Sequence, residues 1–172
     1  SLTAQEAEDL LQVWVRDVPE RGSKLRNLME FDSQSLAEDG FCSSDLPVVE
    51  KYLMTQSSLK SSEKDGNDYL DAFSFEICMD AAAVVGQMCI NSHSGLDWSL
   101  NTDISSGPRF QSIGMVSAAT HEHFPIPMMI CEHVEETLKQ RKTFLGGFKR
   151  PRKDVLIDIV KYVSFSPETS NA

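Results

Sequence analysis

The spacing of apolar residues gives this chain a helical first third, followed by segments of mixed period. Thr3-Ala4-Gln5-Glu6 has the capping-box pattern, in which a Thr hydroxyl and a Glu carboxylate satisfy free amides at a helix start. Leu10, Leu11, Trp14 and Val18 follow as one apolar stripe, Glu6, Glu8, Asp9 and Arg16 stay outside, and Pro19 is expected to close the helix. Leu25, Leu28 and Met29 predict a short second helix. Asp45 as cap, Pro47 in the first turn and Val48, Val49, Tyr52 and Leu53 at helical spacing predict a third.

Residues 57–67 are almost wholly polar and read as a mobile surface loop. Phe73, Phe75, Ile77 and Met79 then alternate with Ser74, Glu76 and Cys78, Asp80 to Ala82 offer a turn, and Val84 to Ile90 resume an apolar run. That pattern predicts a hairpin, with Gly86 marking a bulge or a close backbone approach. Residues 91–108 read as a long polar connection and 110–119 as a further strand. Pro127, then Ile130, Val134 and Leu138 in steps of four, predict a helix ending before Gly146-Gly147. The stretch 155–165 has the composition of a buried strand and, at Leu156, Ile159, Val160 and Val163, the spacing of a helix; we read it as a strand. Residues 166–172 read as a flexible tail.

These elements predict a mixed α/β single domain over 1–172, with N-terminal helices followed by a mostly antiparallel sheet of about four or five strands and a packed helix. The composition, 41% hydrophobic and 24% charged in 172 residues, suits one globular core. A net charge of −10 argues against nucleic-acid binding, which depends on neutralising phosphates. Positive charge is concentrated late: eight Lys and Arg face two Asp between Lys139 and Lys161. No apolar run approaches the roughly 20 residues of a membrane span, and no secretory leader opens the chain, so a cytoplasmic protein without membrane contact is expected. Cys42, Cys78, Cys89 and Cys131 form no C-x-x-C pair, which points to reduced thiols; Cys78 and Cys89 read as small core residues, and one bridge between any two stays open.

Phe75-Glu76-Ile77-Cys78-Met79, a short turn and Ala83-Val84-Val85-Gly86-Gln87-Met88-Cys89-Ile90 resemble the central hairpin of the GNAT superfamily of acyl-CoA-dependent N-acyltransferases. The resemblance spans 1–142 in element order, with the hairpin as its sequence-like part. It implies a GNAT-like fold and acyl-CoA as co-substrate, bound by a splayed strand at Met115, Val116 and Ala118 and by the loop and helix start at Pro127 and Met128. Two prolines and no glycine stand in the corresponding loop, Thr120 to Pro127. His121 or Glu122, at the strand end where an amine would meet the thioester, is the catalytic base this reading implies.

Two other readings come from different residues. Asp39-Gly40-Phe41-Cys42 resembles the start of the catalytic helix in papain-like cysteine hydrolases, with His121 or His123 as base and Asp154 or Asp158 as orienting group, giving a hydrolase or deamidase. Alternatively, Phe144-Leu145-Gly146-Gly147-Phe148 precedes Lys149, Arg150, Arg152 and Lys153, which suits a non-catalytic interaction domain docking an acidic protein partner. His121, His123, Cys131 and His133 are zinc-compatible residue types, but Cys131 and His133, two apart on a predicted helix, do not face together, so no metal is expected.

Overall fold

The computed structural model describes residues 2–37, 40–62, 66–101, 112–142 and 154–164. The fold is mixed α/β, with five α-helices and two small antiparallel sheets among the described residues. The sheet of four or five strands expected from the sequence is replaced by a hairpin and a separate three-stranded sheet. Helix α1 (Ala4–Phe31) starts at the expected capping box, with Thr3 Oγ1 accepting from the Glu6 amide at 3.2 Å and Glu6 accepting from the Thr3 amide at 2.7 Å. It does not stop at Pro19, and the predicted second helix is its continuation. An interior proline costs a helix about 3 kcal/mol. Here Val18, Leu25 and Met29 continue the buried stripe on both sides of it, so packing against the rest of the core offsets that loss.

A 3-10 turn (Ser43–Asp45) leads into α2 (Leu46–Gln56), with Pro47 in its first turn as expected. Within the polar stretch, β1 (Leu59–Ser61) pairs antiparallel with β2 (Asp68–Leu70), Leu59 opposite Leu70. In place of the expected hairpin the chain forms one continuous helix, α3 (Ala72–Ser92). Asp71 caps it, accepting from the Ser74 amide at 2.8 Å. Asp80 to Ala82, expected as the turn, lie in its buried middle. A helix buried all round carries no amphipathic signal. In its N-terminal turns the period-2 pattern is coincidental, since Phe73 and Phe75 are exposed while Ser74 is buried. By length and composition α3 could cross a membrane, a property hidden when the stretch is divided into strands, yet 61% of its most apolar window is buried within this fold.

Strand β3 (Leu96–Leu100) lies in the expected polar connection, and the later strand is the shorter β4 (Ile113–Ser117). With β5 (His123–Phe124) they form a sheet ordered β3-β4-β5, Trp98 opposite Met115 and Met115 opposite Phe124. Helix α4 (Ile126–Lys142) matches expectation, burying Ile130 and Val134. The final segment is a helix, α5 (Val155–Ser164), not a strand: Leu156, Ile159 and Val163 are its buried positions, the helical spacing rather than the alternating one. Its start is held by Glu50 of α2, whose carboxylate accepts from the Leu156 amide at 3.2 Å and contacts His133 Nε2 of α4 at 3.3 Å. Burial pushes the Glu50 carboxyl up, and bonds from His133, Leu156 and Val155 more than offset it, leaving it below the usual range.

Candidate functional site

Helices α1 and α3 pack along one another and share an open groove of about 320 Å³. Val18, Pro19 and Gly22 form the α1 wall, and Ala83, Val84 and Met88 the apolar part of the α3 wall. Gly40 and Phe41 close one side. Gly40 has φ +102°, a conformation that side chains strain, so the chain turns over the groove at a residue suited to it. Pro19 lacks an N–H, which leaves the Val15 carbonyl without its helical donor.

Two amides complete the α3 wall. Gln87 Nε2 donates to Asn91 Oδ1 at 2.8 Å, one helical turn away. That bond engages one donor and one acceptor, and the pair has another carbonyl oxygen and further N–H groups to offer a ligand. Apolar walls with a few convergent polar groups, in a volume at the lower end of about 300–1,000 Å³, are the usual form of a small-molecule site.

Buried electrostatics beside the groove hold its walls together. Asp80 of α3 is fully buried and pairs with Arg21 Nη1 of α1 at 2.8 Å, with Lys24 Nζ at 3.4 Å as second cation. The Arg21 guanidinium lies 5.1 Å from the Trp14 ring, and Trp14 meets Trp98 edge to face at 5.4 Å. Trp98 is buried against Gly86.

The residues singled out from the sequence do not converge. His121 is exposed in the β4–β5 turn with φ +57°, its amide donating to the Ser117 carbonyl at 2.8 Å. Glu122 accepts from the Tyr162 hydroxyl at 3.1 Å. Met115 is fully buried, Val116 half-buried and Ala118 exposed, its amide donating to the Gly95 carbonyl at 2.7 Å. Pro127 is buried and Met128 half-buried at the start of α4. The residues on which the GNAT resemblance rests lie in α3, so the chain has no hairpin there.

Cys42 bonds locally, its sulfur 2.9 Å from Ser44 Oγ and donating to Asp45 Oδ2 at 3.3 Å. Asp45 also accepts from the Cys42 and Ala37 amides at 2.8 and 3.2 Å, which makes it a buried loop clamp rather than the expected side-chain cap of α2. Burial raises its pKa, and these bonds together with Arg26 bring it below the ordinary value. Asp154, just before α5, and Asp158, on it, are exposed, and the basic residues Lys149, Arg150, Arg152 and Lys153 lie outside the described residues, as does the 166–172 tail.

Nor do the zinc-compatible residues gather: His123 faces Ser99 and His133 faces Glu50. Among the described residues no group of three or more His, Cys, Asp or Glu is placed to hold a metal ion.

His123 is a structural histidine with a pH signature. An added Cβ at Gly114 would lie 2.6 Å from His123 Cε1, so the glycine makes room for the ring to reach the Ser99 carbonyl at 3.4 Å. Burial lowers its pKa, with the Ser99 contact opposing. Protonation therefore favours the unfolded chain: this contribution is intact above the ordinary imidazole value of about 6.5 and is lost as pH falls toward the folded value. Denaturant midpoints should accordingly decline below that pH, and His123→Leu should flatten that part of the profile; an unchanged slope in the variant refutes the assignment.

The signals for the groove were weak in sequence. Gln87 and Asn91 share a helix face only once α3 is recognised as a helix, and Pro19 reads as a terminator. Fold and groove place the chain in the general class of mixed α/β proteins carrying a small apolar cleft between helices. No family model, curated protein or solved structure matches it.

Proposed function

We propose that the chain is a ligand-binding module whose α1–α3 groove takes a small apolar molecule ending in an amide or another carbonyl group. The observation that carries this reading is the Gln87–Asn91 amide pair in the wall of an otherwise apolar groove of about 320 Å³. Apolar walls supply affinity through removal of hydrocarbon from water, and the amides orient the polar end. A carboxylate end is disfavoured on a chain of charge −10 with no cation among the described residues of the groove wall.

The test is ligand-observed NMR and calorimetry with medium-chain aliphatic amides and the corresponding acids. Amides should bind more tightly than acids of equal length, with a sharp cut-off in chain length. Gly22 lies against Val84, where an added Cβ would be at an ordinary 3.6 Å from Cγ2. Gly22→Ala should therefore be tolerated, whereas Gly22→Leu should fill the groove and weaken amide binding at least about tenfold, or 1.4 kcal/mol. Equal binding by wild type and Gly22→Leu would reject the site. Acetyl-CoA belongs in the same titration: binding unaffected by Gly22→Leu would favour the acyl-CoA proposal at 115–129 instead.

A further inference from the structure

Val15, Pro19 and Gly22 follow one another along α1 at helical spacing and so share one face, and Pro19 and Gly22 line the groove. Val15 is 42% exposed, which leaves this face open to solvent at the turn where the groove lining begins. In a regular helix the Val15 carbonyl would accept from the amide of residue 19. Pro19 has no N–H, and a proline ring crowds the carbonyl one turn back and turns that oxygen outward. A backbone acceptor with unused capacity therefore stands on the face that walls the groove.

The polar part of the opposite wall lies level with it. Lys24 of α1 pairs with Glu76 of α3 at 3.8 Å and Arg21 with Asp80 at 2.8 Å, so the two helices run antiparallel. Glycine has no side chain to lean along the axis, and the close approach of Gly22 to Val84 therefore fixes the level of one helix against the other. With the same rise of about 1.5 Å per residue on both sides, Val15 comes level with Asn91, and its oxygen, aimed along the axis toward Pro19, comes level with Gln87. The bond of 2.8 Å from Gln87 Nε2 to Asn91 Oδ1 orients that pair and leaves Gln87 Oε1 and Asn91 Nδ2 to a ligand.

We propose that the polar end of the groove reads a primary carboxamide from both walls: the ligand carbonyl accepts from Asn91 Nδ2, one ligand N–H donates to Gln87 Oε1, and the other donates to the Val15 carbonyl that Pro19 sets free. Resting on the groove as the ligand site, this recognition narrows the ligand from carbonyl compounds in general to those whose carbonyl carries NH2. A ketone offers the same acceptor and the same apolar chain but no donor, and leaves two protein acceptors facing it without partners. Pro19 is then a specificity residue that acts through the Val15 carbonyl, in addition to its place in the apolar wall.

The experiment titrates the full chain and its Pro19→Ala variant with octanamide and with the methyl ketone of equal size, in which CH3 replaces NH2, by ligand-observed NMR and calorimetry. Wild type should bind the amide at least about tenfold more tightly than the ketone, the effect of two hydrogen bonds to neutral groups. Alanine is well suited to a helix interior, so the variant keeps its fold, and its restored N–H occupies the Val15 carbonyl. The ratio of amide to ketone affinity should then fall to about threefold, the share left to Gln87. Both ligands feel the loss of the proline ring from the apolar wall alike, so the ratio isolates the carbonyl from that structural effect. A ratio near one in wild type, or a ratio that Pro19→Ala leaves unchanged, overturns the carboxamide assignment while the groove stands as a ligand site. Failure of both ligands to bind wild type rejects the groove itself and the assignment with it.

Discussion

Replacing Arg21 by Met is expected to cost about 3 kcal/mol of stability, at the low end of the 3–5 kcal/mol seen when a buried ion pair loses one partner. The loss comes less from the missing pair than from what is left behind. Asp80 is fully buried in the middle of α3, and after the change its remaining cations reduce to Lys24, half-exposed at 3.4 Å. Trp14 also loses the guanidinium over its ring, a contact worth about 0.5–1 kcal/mol at exposed sites. Adding Asp80→Leu to Arg21→Met removes the orphaned charge and should restore most of the stability, since well-packed apolar substitutes for buried pairs are often neutral or better. Denaturant titration of the two single variants and the double gives the coupling directly. An Arg21→Met loss under about 0.5 kcal/mol would mean that the pair is solvated in solution. Because Arg21 and Asp80 tie α1 to α3, the same variant should also loosen the proposed ligand groove.

Gly86→Ala should be nearly as damaging, by about 3 kcal/mol at the upper end of overpacking costs. An ordinary Gly to Ala change inside a helix gains roughly 0.5–1 kcal/mol. The sign is reversed here because the added Cβ would stand 2.2 Å from Cη2 and 2.5 Å from Cζ2 of Trp98. The indole has little freedom to retreat, since Trp14 meets it edge to face and it is buried in the sheet's packed side. In a Trp98→Leu background the added methyl should cost much less. A thermal or denaturant double-mutant cycle measures that difference, and simple additivity would show that the ring is not seated on Gly86.

Local signals read from the sequence were those that need no partner. The capping box at Thr3 and Glu6, Pro47 in the first turn of α2, and the steps of four along α4 are satisfied within a few residues of chain, so they could be placed without knowing what lies opposite. Gly86 was also legible as a point of close approach, although the approaching group is an indole from β3 rather than another backbone. Burial of Trp14 on the α1 stripe followed from the same amphipathic spacing.

Where tertiary packing supplies the deciding energy, local pattern misled. Pro19 ends an isolated helix, but α1 continues because its buried stripe extends to Leu25 and Met29. A run of alternating Phe, Ile and Met looks like a strand, but continuous burial over Asp80–Gly86 in the middle of α3 leaves that part of the helix without a polar face. The end of the chain fitted both periods, and Glu50, more than a hundred residues earlier, holds the amide at the start of α5. Arg21 with Asp80 and the groove between α1 and α3 both join residues far apart in the chain. Sequence by itself determined where several helices begin and which residues could be apolar interior; tertiary structure alone decided which interior they share, because burial energy belongs to pairs of surfaces and neither surface is visible from its own segment.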